Sequence, residues 1–296
     1  MTRLENTASD KVFDFFNYFF LTIIALLVVY PLIFIISASL SNPLHVLNGE
    51  IWFWPKELNF DAYKKLFSNH DIINGFLNTL KYTVVGTAIN VVLTIMAAYP
   101  LSRADFVGRN VIMGIFVFTM FFSGGLIPSY LLIKDLGMID TFWVMVIPNA
   151  VSVFNIIIMR TFFQTTIPLE LQEAAMIDGA GNIRILLKIV LPLSMPVIAV
   201  MILFYAVAHW NSYFTALIYL QNKELFPLQL ILREILIQSQ TSDMVKSTSE
   251  SFLKQQMSVE GLKYAVLIFA NLPMLCLYPF LQRYFVKGFL VGSIKG

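Results

Sequence analysis

The sequence predicts an all-α polytopic membrane protein with six transmembrane helices, and three observations carry that prediction. Apolar residues make up 58% of the 296-residue chain and charged residues 13%, against roughly 45–50% and about 25% in soluble domains. The apolar residues gather into continuous runs, without the period-two alternation of a membrane barrel. Six of these runs, 16–37, 82–100, 111–133, 142–163, 195–220 and 264–284, approach the ~20 residues that cross a hydrocarbon core of about 30 Å as helix. No repeat or linker divides the chain, so 1–296 reads as one transmembrane domain.

The first run follows MTRLENTASDKVFDFF, where acids sit beside Arg3 and Lys11 and no small-residue cleavage site appears, so it reads as a retained helix. The third contains Ser123, Gly124, Gly125 and Pro128, which loosen a helix and release backbone groups that must face protein or water. In the fourth, Asn149, Ser152 and Asn155 recur every third residue, near one face of a helix. The fifth carries His209, Trp210, Asn211, Ser212 and Tyr213 in succession. The sixth holds the single cysteine, Cys276, which can form no intrachain disulfide and reads as a packing residue.

At ~1.5 Å per residue, Gly124, Asn149 and Trp210 lie about 13, 10 and 15 Å from the outer ends of their runs, so the three polar clusters share a layer. They line an aqueous pathway, with Trp210 and Tyr213 offering flat faces to a polar solute, or they serve as helix-to-helix glue beside an interfacial aromatic belt.

Six crossings put both termini on one side. Arg3, Arg103, Arg109, Arg160, Arg184 and Arg283 fall on that side and only Arg233 on the other, which makes the termini cytoplasmic. The outer loops are then 40–81, with Trp52 and Trp54, and 221–263, with an apolar helical pattern at Leu228, Ile231, Leu232, Ile235 and Leu236. Both read either as interfacial anchors and a helix lying on the bilayer, or as surfaces for an external partner.

Several chemistries are excluded. Apart from Arg160 and Arg283 at the cytoplasmic ends of their runs, His209 is the lone basic or acidic residue within the spans, whereas ion-coupled transport needs intramembrane ionisable groups. Without a titrating partner, His209 reads as a hydrogen-bonded interior residue. His45, His70 and His209 are too dispersed for a metal site. No GxxxxGK[ST] cradle for nucleotide phosphates is present, no hydrolase signature appears, and no basic block suggests nucleic acid.

The stretch 168–191 interrupts the spans with polar residues at helical spacing. Pro168 can start a helix, Glu170 and Glu173 suit its N-terminal dipole, Ala174 and Ala175 permit close approach, and Gly179 and Gly181 break the run. Asn182 is placed to cap a second helix, which runs until Pro192 and Pro196 redirect the chain. On residue physics alone it is either a docking element or a segment packed beneath its own bundle.

The sequence EAAMIDGAGNIRILLKIVLPLSMP resembles the cytoplasmic signature of ATP-binding-cassette importer permeases. Glu173, Ala174, Ala175, Gly179, Leu191 and Pro192 stand at the signature positions, and Asp178 with Ala180 completes the Asp-Gly-Ala form of carbohydrate permeases. QRYFVKGFLVGSIKG and FFSGGLIPSYLLIKDLGMIDT also resemble that class, within it the YtcP/LplC branch associated with complex oligosaccharides.

The resemblance implies that Glu173, Ala174, Ala175, Met176, Asp178, Gly179 and Ala180 form a coupling helix and turn that dock on a separate ATPase dimer. ATP and Mg would bind there and not on this chain. It further implies a second homologous permease, an extracytoplasmic solute-binding protein, residence in a bacterial cytoplasmic membrane, and an oligosaccharide cargo. The branch extends the cargo to uronic-acid-containing, pectin- or alginate-derived oligosaccharides. Another polar solute, such as a peptide, and a stand-alone secondary transporter remain as alternatives.

Overall fold

The computed structural model describes residues 8–244 and 256–276. Among them the regular elements are helical, apart from an isolated bridge between Ser41 and Leu58. The chain forms two compact units, one drawn from Met1–Asn69 and Leu232–Asn271, the other from His70–Ile231 and Leu272–Gly296.

In the first unit, α1 (Ala8–Ser39) is a long apolar helix around Pro31. Most of its side chains stand outside the protein core, as expected of a helix whose solvent is lipid hydrocarbon. Two short helices follow, α2 (Pro43–Leu47) and α3 (Asp61–Ser68). The intervening loop is tied back to α1 by Ser37 Oγ, which donates to Phe53 O at 2.7 Å, while Trp52 and Trp54 project outward, 64% and 83% exposed.

The second unit is organised by α4 (His70–Ser102), against which the helices Val153–Thr166 and Met195–Trp210 pack. Next come α5 (Arg109–Phe121), α6 (Leu126–Asp135), a 3₁₀ turn at Phe142–Met145, α7 (Val153–Thr166), α8 (Leu169–Ile177) and α9 (Asn182–Ile185). A π-helical turn (Leu186–Val190), α10 (Leu191–Leu193), α11 (Met195–Trp210), α12 (Phe214–Tyr219) and α13 (Leu228–Met244) continue the chain. Helix α14 (Gln256–Cys276) and α13 from Leu232 onward belong mainly to the first unit. A core of Val91, Ala98, Ile156, Met159, Phe163, Val197 and Met201 joins α4, α7 and α11.

Three single helices are long and apolar enough to cross a membrane: Asp10–Ser39, His70–Ser102 and Gln256–Cys276. They contain the first and second runs whole and the sixth as far as residue 276; its remainder, like the tail, lies outside the described residues. The third and fifth expectations need correction. Arg109–Phe121 and Leu126–Asp135 meet at 111°, and Asn182–Leu193 and Met195–Trp210 at 82°, so up to five spans are counted if each bent pair is one. The fifth run itself is helical only to Trp210, and α12 resumes at Phe214. The fourth run is not a continuous helix either: a 3₁₀ turn and an irregular segment precede α7, itself only 14 residues long. Pro148 removes a donor in that segment.

The apolar pattern after Gln221 is not a bilayer-surface helix at its start. Leu228, Leu230, Ile231 and Leu232 are buried, and Leu228 N donates to Thr79 Oγ1 at 2.8 Å. The first turns of α4 hold this segment, with Asn78 donating to Glu224 O at 2.6 Å and Tyr82 to Leu225 O at 2.8 Å. Cys276 is exposed and is not a packing residue.

Candidate functional site

The 168–191 segment folds as its spacing dictates. Pro168 is the N-cap of α8, and the helix ends in a hydrogen-bonded reversal: Gly179 N donates to Met176 O at 3.0 Å and Ala180 N to Ala175 O at 2.9 Å. This pairing is the Schellman motif, whose turn residue sits in the left-handed region. Gly179 has φ +78°, a conformation costing a side-chain-bearing residue about 1–2 kcal/mol. The fixed interval from Ala175 to Gly179 and Ala180 is thus the geometry of one helix stop.

The outer face of this turn is bare. Glu173, Ala174, Asp178 and Gly179 are exposed, and Ile177 and Ile183 project 87% and 75% exposed. Ala175 and Ala180 are half-buried against the core. Asn182 is not a cap: it is the first residue of α9, and Gly181 occupies the N-cap without a side-chain bond.

The opposite face of α8 is held from the end of α4. Arg103 is buried, and its Nη1 donates to Gln172 Oε1. Its Nε and Nη2 donate to Asp105 at 3.0 and 3.1 Å, and Nη2 also reaches Met176 Sδ at 3.6 Å. The Arg103 guanidinium holds the Asp105 carboxyl below the usual carboxylate range through these bonds. Arg109 donates to Arg103 O and Arg160 to Leu101 O, each at 2.9 Å, so cations satisfy carbonyls at or just beyond the helix end.

Nearer the middle of α4 lies a cavity of about 450 Å³. Asn149, Ser152, Asn155 and His209 line it together with Asn90, Tyr205 and Ser212. The first three meet there although they do not share a helix: Asn149 is in the irregular segment, Ser152 caps α7, and Asn155 lies in its first turn. Tyr205 Oη joins the walls, lying 2.7 Å from Thr94 Oγ1 and accepting from Ser152 N at 3.3 Å. Asn90 donates to Asn149 O at 3.4 Å.

Other expected members are elsewhere. Trp210 is buried edge-on to Phe76, and Tyr213 stands half-exposed beside Phe214. Ser123, Gly124 and Gly125 are exposed at the break before α6. Depth counted along unbroken helices therefore fails for Gly124 and Asn149. His209 is buried with Nε2 unpartnered among the described residues, and its ring packs so closely on α4 that a Cβ at Gly86 would come within 2.3–2.8 Å of three of its atoms.

Asn90, Tyr205, Arg103 and Gln172 were missed by sequence reasoning. A signal existed for Asn90: Asn78, Thr79, Thr83, Thr87, Asn90 and Thr94 follow helical spacing and are all buried on α4.

No protein-family model matches the chain. It is 42% identical over 287 residues to the polygalacturonan/rhamnogalacturonan transport system permease protein YtcP of Bacillus subtilis, covering 97% of this chain and 99% of that one. Protein LplC of the same organism is 40% identical over 293 residues, covering 99% and 98%. A crystal structure of a bacterial ABC transporter involved in import of the acidic polysaccharide alginate contains a chain that superimposes with TM-score 0.85 at 33% identity, over 94% of this chain and 98% of that one. With similarity of this extent, the chain belongs to the sugar-permease family of ATP-binding-cassette importers.

Proposed function

We propose that this chain forms half of the membrane pathway of an oligosaccharide importer and that its cargo is a uronic-acid-containing oligosaccharide derived from pectin or alginate. Near full-length similarity to a polygalacturonan/rhamnogalacturonan permease carries the cargo reading. The permease subunit is non-catalytic, and the partner ATPase hydrolyses ATP. In this reading the 1–296 domain crosses the bacterial cytoplasmic membrane six times, through bent or interrupted helices in the third to fifth passages, with both termini cytoplasmic. A second homologous permease completes the pore, and a solute-binding protein delivers cargo to the opposite face.

The turn from Glu173 through Ala174, Ala175, Met176 and Asp178 to Gly179 and Ala180 docks on the ATPase dimer. Its support is a backbone reversal fixed by Gly179 and a bare apolar surface at Ile177 and Ile183. Asn149, Ser152, Asn155 and His209 line the pathway together with Asn90 and Tyr205. Their carboxamides, hydroxyls and imidazole offer neutral hydrogen bonds suited to sugar hydroxyls. Ser123, Gly124, Gly125, Trp210 and Tyr213 do not line the same cavity, and the pathway reading rests on the other residues.

Reconstitution of the complete importer in proteoliposomes tests this function. Uptake of labelled oligogalacturonides or alginate oligosaccharides should require the ATPase, ATP and both permeases. Uptake by this chain alone would establish a stand-alone transporter, and uptake of peptides in preference to sugars would overturn the cargo.

A further inference from the structure

We propose that Arg103 is a positioning residue that couples the docking helix α8 to α4, making α4 the lever between the docking turn and the cavity. The inference rests on the reading of α8 and its turn as the ATPase-docking element. Arg103 directly follows α4, and its side chain is only 9% exposed. One edge of its planar fork carries Asp105; the remaining donors meet Gln172 and Met176, which are four residues apart and therefore share a face of α8. A lysine, with a point charge and no fork, cannot hold both sides.

Two routes lead from α8 to the cavity. Along the chain, the path passes the Gly179 turn, a π-helical turn, Pro192 and the 82° bend before α11, and each of these joints absorbs displacement. Through Arg103 the path enters a single helix whose one proline, Pro100, lies in its last turn, and Asn90 lies 12 residues back from Ser102, about 18 Å at the α-helical rise. The same end of α4 is fixed to α7 by Arg160 on Leu101 O and by Gln164 on Ser102 O. A displacement of α8 thus has fewer joints to cross on this route than along the chain.

The test uses the complete importer in proteoliposomes, with Cys276→Ser as background. Arg103→Met and Gln172→Leu should each lower transport per ATP hydrolysed about tenfold, within the usual range of inter-site coupling, while the ATPase still co-purifies. Gln172→Glu, which keeps the acceptor, should transport normally. The Arg103→Cys/Gln172→Cys pair should lose transport and regain it when a bifunctional thiol reagent links the two sites.

Normal transport by Gln172→Leu, loss of the ATPase from that complex, or failure of complete cross-linking to restore the pair would overturn the proposal. Gln172→Leu decides the matter if Arg103→Met does not reach the membrane. Gly179→Trp separates the two readings: if it transports normally the docking reading fails, whereas normal Gln172→Leu with inactive Gly179→Trp removes only the role of Arg103.

Discussion

Helix α4 is held by opposite means at its end and at its middle. At the end, the carbonyls of Leu101, Ser102 and Arg103 each accept a side-chain bond, and the Arg103 guanidinium meets Asp105, Gln172 and Met176. In the middle, Thr83 Oγ1, Thr87 Oγ1, Asn90 Oδ1 and His209 Nε2 are buried without a partner among the described residues. Each such atom costs about 1–3 kcal/mol while it stays unpaired. Movement at the end breaks these hydrogen bonds, whereas the middle presents polar atoms that water can partner. The contrast locates a grip at one level of the helix and an opening seam at the other.

The largest effect is expected at the docking turn that the grip serves. Gly179→Trp has room, since nothing lies within 4 Å of a Cβ there, and its left-handed φ costs only about 1–2 kcal/mol, so the protein should still reach the membrane. Transport should fall by roughly 100-fold or more, the upper range of coupling between sites, measured as uptake beside membrane abundance. Next is the closest approach in the seam, where Gly86→Val drives a side chain into His209. Overpacking of this kind costs about 1–3 kcal/mol, visible as a lowered thermal midpoint in detergent, and His209→Ala in the same chain should restore part of it.

Tyr205→Phe removes the hydroxyl bonded to Thr94 and Ser152, for an expected loss of ~1–3 kcal/mol in the same thermal assay. Thr83→Val and Thr87→Val should be neutral or stabilising by up to about 1 kcal/mol, because they delete orphan hydroxyls, and they should slow transport by removing the reward for hydration. A marked destabilisation by either would mean that the seam is satisfied as it stands.

The smallest effect concerns pH and the grip alone. Asp105 has a lowered pKa, so its contribution is present above the ordinary carboxylate value of 3.8 and is lost as pH falls through the depressed folded value. The stability of Asp105→Asn should therefore converge with that of the parent in strong acid and differ from it at neutral pH.

The parts of this arrangement legible in the sequence were those written in local composition. Long apolar runs marked α1 and α4, and the interval from Ala175 to Gly179 marked a helix stop whose backbone geometry depends on few residues. Hydropathy windows alone do not show the bends, but the residues at them do: Ser123 to Pro128 mark the break before α6, and Pro192 and Pro196 flank the 82° break before α11. Hydropathy could not single out Arg103 among the loop arginines, since Gln172 lies 69 residues away. Asn149, Ser152 and Asn155 do meet in one cavity, but through an irregular segment and a helix cap, not through the shared helix face that their spacing suggested.

The most direct measurement is the accessibility of single cysteines along α4 and the cavity to a hydrophilic thiol reagent, in the complete importer with Cys276 replaced by Ser. Thr87→Cys, Asn90→Cys and Asn155→Cys should be protected in one nucleotide state of the ATPase and modified in the other, while the Arg103–Gln172 contact, followed by cross-linking, persists in both. Cysteines at all three positions that stay inaccessible in every state would contradict the account.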